Sequence, residues 1–122
     1  MDATNKDAIV GQLDRYGYAV VENVLSMGGI ASCLENLTRL YTRFTGESVE
    51  YTENTPWLSK AFHEQLAKFR KRDPRMFGAM YDSAQSSVVL TQLMSDPLVV
   101  DIVATSLGVN PSDLSRQGFE YR

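Results

Sequence analysis

The sequence predicts a helix-dominated α+β fold: five or six helices packed around a short strand pair. Three observations lead to this class. Apolar residues recur at spacings of three and four along most of the chain, the period of a helix with one buried face. Asp-Pro pairs and single glycines stand where such helices would begin and end. Two short stretches, Tyr18 to Val24 and Phe119 to Arg122, carry the aromatic, β-branched or alternating character of strands instead.

The elements follow in order. Thr4 is placed to cap a first helix, with Asp7 three residues on as a weak capping box. Ile9, Leu13 and Tyr16 share one stripe of it, and Gly17 is placed to end it in a left-handed cap. Tyr18-Ala19-Val20-Val21 then reads as a short strand, interrupted by Glu22 and Asn23. Ser26 is placed to cap a second helix, whose Ile30, Leu34, Leu37, Tyr41 and Phe44 make a strong amphipathic stripe, and Gly46 closes it. The polar stretch Glu47 to Pro56 reads as a loop.

Ser59 is placed to cap a third helix carrying Phe62, Leu66 and Phe69. Asp73-Pro74 opens a fourth, with Phe77, Met80, Tyr81 and Ala84 inward. Ser86-Ser87 breaks it before a short fifth helix, Val88 to Met94. Asp96-Pro97 opens a sixth, which Gly108 ends, and Asn110-Pro111 starts a single turn. The last residues, Phe119-Glu120-Tyr121-Arg122, alternate as a sheet edge does, and Tyr18 to Val24 is their expected partner. The predicted core is Ile9, Leu13, Val20, Ile30, Leu34, Leu37, Tyr41, Phe62, Leu66, Phe77, Tyr81, Leu93, Ile102 and Val103.

Length and composition set the bounds on function. The 122 residues are one domain's worth, 1–122, and enough to bury a core. Apolar residues at 43% and charged residues at 22% are globular values. A net charge of −3 gives no overall pull toward nucleic acid or an anionic membrane, so neither is expected as a partner. The single cysteine excludes an internal disulfide and a thiolate zinc cage. Met1 to Lys6 has no basic start followed by an apolar run, so no signal peptide is expected, and the expected compartment is the cytoplasm.

Leu13 to Leu40, through Gly17-Tyr18-Ala19-Val20-Val21-Glu22-Asn23-Val24-Leu25-Ser26, resembles the opening of the phytanoyl-CoA dioxygenase family of Fe(II)/2-oxoglutarate oxygenases. Met80 to Gly108, through Tyr81-Asp82-Ser83-Ala84-Gln85 and Ser95-Asp96-Pro97-Leu98-Val99, is similar to the helices before that family's catalytic barrel. The resemblance implies the N-terminal region of such an oxygenase, which buttresses the barrel and shapes substrate entrance. The alternative is a stand-alone interaction module derived from the family, forming homo-oligomers through an exposed strand edge.

The family's chemistry needs two histidines and a carboxylate around one iron. This sequence has one histidine, His63, followed by Glu64 and Gln65 rather than a His-x-Asp or His-x-Glu motif. The chain therefore supplies no catalytic, cofactor or metal residue, and Fe(II) and 2-oxoglutarate are expected only for a longer parent.

Five features are weighed beside this. His63 reads as a packing or exposed residue and Cys33 as a small apolar one. The cations Lys68, Arg70, Lys71, Arg72 and Arg75 suit the negative end of a helix dipole, and their functional reading is an anion patch. Trp57 reads as core packing or, in an oxygenase, as part of a substrate-facing loop. Tyr121 and Arg122 read as chain-terminal residues, and their functional reading, in a full barrel, is a place facing the co-substrate pocket.

Overall fold

A computed structural model describes residues 1–50, 59–117 and 120–121. Six helices dominate: α1 (Lys6–Tyr16), α2 (Met27–Thr45), α3 (Lys60–Arg72), α4 (Pro74–Gln85), α5 (Val88–Met94) and α6 (Pro97–Leu107). A 3₁₀ turn, Pro111–Asp113, follows α6.

The helix ends are made by local chemistry. Ser26 accepts a hydrogen bond from Gly29 N, Asp73 from Met76 N, Ser87 from Leu90 N and Asp96 from Leu98 N. Each satisfies a backbone donor that the first turn leaves unpaired. Gly17, Gly46 and Gly108 close α1, α2 and α6 in the left-handed conformation, which costs a residue without Cβ little. Two caps differ from expectation. Thr4 donates both its N–H and its hydroxyl to Asp2, each at 2.8 Å, so Asn5 caps α1 instead, accepting from Ala8 N at 3.1 Å. Ser59 stands at the N-terminus of α3 and is buried, but its side chain makes no capping bond to the helix.

Helices α2, α3, α4 and α5 pack together: α4 lies against both α2 and α3, and α5 against α2. The centre is aromatic. Tyr41 meets Phe62 and Phe69 edge-on, both at 6.0 Å between ring centres, and Phe69 meets Phe77 at 5.7 Å. Met80 completes the buried cluster, with Leu37, Leu40, Phe44, Val49 and Leu66 around it. A second, smaller contact joins α1 to α6. Ile9, Val99 and Ala104 are buried there, and Lys6 Nζ reaches Asp101 Oδ2 at 2.7 Å.

The α+β class is not what forms, and the correction concerns the strand pair. Tyr18 to Val24 makes no strand. Its only pairing among the described residues is one parallel bridge between Glu22 and Asp2, with Glu22 N donating to Met1 O at 2.9 Å. Asn23 then turns the chain with a φ of 57°. The far end does not come to meet it. Arg116–Gln117 folds back on Glu120–Tyr121 in a two-residue antiparallel contact, the only such ladder among the described residues. Closing that short loop costs far less chain entropy than bringing together segments about ninety residues apart. The fold is helical, and the unpaired C-terminal strand whose edge oligomerisation was expected to use is not formed: Glu120–Tyr121 is taken up in the short contact with Arg116–Gln117.

Two predicted core residues are corrected with it. Val20 is 63% exposed because no sheet receives it. Tyr81 is 48% exposed, on the flank of α4 rather than its inner face. Phe69, Met80, Leu90, Val99 and Ala104 are buried and were not in the predicted core.

Candidate functional site

The run of cations from Lys68 to Arg75 is the densest charge feature, and the structure divides it. Residues two apart on a helix lie about 200° around its axis, so Arg70 and Arg72 point to opposite sides of α3. Arg72 lies over the ring of Phe69, 5.8 Å from its centre, and donates to Glu47 Oε1 at 3.0 Å. The other oxygen of that carboxylate accepts the Tyr41 hydroxyl at 2.7 Å. Tyr41 is 1% exposed. Burial first, then the Glu47 hydrogen bond and charge, push its phenol up to about 12. Glu47 is held below its ordinary value by the Tyr41 hydrogen bond and then by Arg72. Arg72 is thus a structural cation rather than a member of an open patch.

Gln65 reinforces the same seam. It accepts from Glu50 N at 2.7 Å and donates to Ser48 O at 3.0 Å, binding the chain after α2 to the flank of α3. Val49, between those two contacts, packs on the aromatic cluster.

Arg70 faces the other way, onto α4. Among the described residues, Arg70, Phe77, Gly78 and Tyr81 line a cleft of about 330 Å³. Arg70, Lys68, Lys71 and Arg75 are exposed and have no ion-pair partner among the described residues. The sequence reading found these cations but not the cleft. The available signal was Gly78, a glycine in the middle of a helix and next to aromatic residues, where its low helix propensity needs a packing or functional reason.

The remaining candidates stay apart. His63 is exposed on α3 with its ring beside Phe62. Cys33 is half-buried on α2, and burial raises its thiol above the ordinary value, the wrong direction for a nucleophile. Tyr121 has its hydroxyl out of water with no hydrogen-bond partner among the described residues. Nearby Arg116 anchors the C-terminal fold-back to α5 through Thr91 Oγ1 at 2.7 Å. Trp57 and Arg122 lie outside the described residues.

The donor set does not fit the iron site that the family resemblance implies. No group of three or more His, Cys, Asp or Glu among the described residues is placed to hold a metal, and the chain has a single histidine. No single helix among them is long and apolar enough to cross a membrane. No protein-family model, curated protein or solved structure matches the chain.

Proposed function

We propose that this chain is a non-catalytic helical docking region, of the kind that buttresses the barrel in phytanoyl-CoA dioxygenase-like oxygenases. One observation supports this most directly. The first segment that carries the resemblance, from Gly17 to Ser26, is also left uncovered: none of its residues is buried. Tyr18 is 65% exposed and Val20 63%. Side chains of that type in a row are stable in water only at a cost, and a covering surface removes it.

In this reading the Tyr18 to Leu25 segment and α1 face a barrel. Iron and 2-oxoglutarate belong to that barrel, and His63, Cys33 and the cations take no part in their chemistry.

A hydrophobic-dye titration with mass measured in solution tests the reading. The chain alone should bind the dye and self-associate in a concentration-dependent way. Val20→Asp with Tyr18→Asp should reduce both without loss of helix content. A dye-silent monomer would overturn the proposal. A dye-silent oligomer of one defined size would support the stand-alone module instead. Tight joint binding of Fe(II) and 2-oxoglutarate would sink both.

A further inference from the structure

We propose that the cleft between α3 and α4 is a docking site for a short acidic peptide segment bearing one apolar anchor side chain. The inference is independent of the barrel-docking reading, because it concerns a different face of the molecule.

The cleft owes its depth to a missing side chain. A Cβ on Gly78 would meet nothing within 4 Å, so the space over α4 at this point is open. Phe77 forms the inner wall and is held from behind by Phe69. Tyr81, one turn further along α4, forms the outer wall. Among the described residues the lining is therefore mainly aromatic, and it suits an aliphatic or aromatic side chain.

The rim supplies the charge preference. Arg70 borders the cleft. It is exposed and has no ion-pair partner among the described residues, and Arg75, likewise exposed and unpaired among them, stands three residues before Gly78 on α4. A local positive field around an apolar slot favours an acidic segment that delivers one apolar side chain. A bare inorganic anion would leave the aromatic walls unused. A nucleic acid would meet repulsion from the acidic remainder of the chain.

The test is fluorescence anisotropy on the full chain with a labelled Glu-rich peptide carrying one central Phe. Binding should saturate, and it should weaken about ten-fold when the Phe is replaced by Ala or the Glu residues by Gln. Arg70→Glu should weaken it by a similar factor. Gly78→Leu fills the slot and should abolish binding while leaving the melting temperature unchanged or raised, since Leu is the better helix former. That variant separates loss of the site from loss of the fold. Equal affinity for the Ala-substituted peptide, indifference to both variants, or tighter binding of a labelled oligouridylate would each overturn the proposal.

Discussion

One carboxylate, Glu47, accepts the buried Tyr41 hydroxyl at 2.7 Å on one oxygen and Arg72 at 3.0 Å on the other. It thereby ties the middle of the aromatic core to the C-terminal turn of α3 through a residue that lies just beyond the end of α2. A hydrogen bond between a phenol and an ionised carboxylate is stronger than one between neutral groups.

Removing the phenol oxygen tests the first half of this link. Tyr41→Phe keeps the ring packing against Phe62 and Phe69, so the loss is the hydrogen bond alone. It should cost about 1 kcal/mol in urea denaturation, the usual net value of a hydrogen bond and less than for a buried charged partner, because water reaches Glu47. A neutral result would mean that solvent replaces the bond completely.

The same link sets an alkaline limit. A phenol titrates near 10 when unfolded and near 12 in this fold. The folded state therefore holds the proton more tightly. Its contribution is complete below about pH 10 and is lost as pH rises toward 12. Absorbance titration should show a late-ionising tyrosine step near pH 12, and Tyr41→Phe should diminish it.

The acid limb depends on Glu47. Its pKa is depressed, so its contribution is present above the ordinary carboxylate range and is lost as pH falls through the folded value. Melting temperature followed from neutral to acid pH should fall less steeply in Glu47→Gln than in the parent. Parallel curves would show that other carboxylates set the limb.

The core and the uncovered segment should respond differently to truncation. Phe62→Ala or Phe69→Ala, each at a side chain about 2% exposed or less, should cost about 3–5 kcal/mol. Val20→Ala should change stability by less than about 0.5 kcal/mol, as an exposed position does. A large effect at Val20 would mean that the segment is covered in solution.

Close packing of α5 on α2 makes a further prediction. A Cβ on Gly29 would stand 2.7 Å from Leu93 Cδ1 and 2.8 Å from the Ser26 hydroxyl that caps the helix. Both the Leu93 side chain and the cap would have to shift. Gly29→Ala should therefore destabilise by about 1 kcal/mol, the usual value of a lost N-cap. Gly28→Ala, with nothing within 4 Å, should not. Thermal melts of the two variants side by side decide it.

What the sequence by itself determined is local. Ser26 and Gly46 bound α2, Asp73-Pro74 starts α4, and Asp96-Pro97 with Gly108 brackets α6, because caps act over three or four residues and need no distant partner. The want of a two-histidine iron site in these 122 residues is likewise a matter of counting. Tertiary structure decided everything that depends on a neighbour. Tyr18 to Val24 has strand-like residues but no adjacent strand to take its hydrogen bonds, so a strong local preference produced no sheet. Glu47 looked like an ordinary loop residue until α3 brought Arg72 to it. Arg70 and Arg72, two residues apart in one basic run, were sent by the helical period to an open cleft and to an ion pair. Periodicity locates the helices, but which flank of each is buried is settled only when they meet.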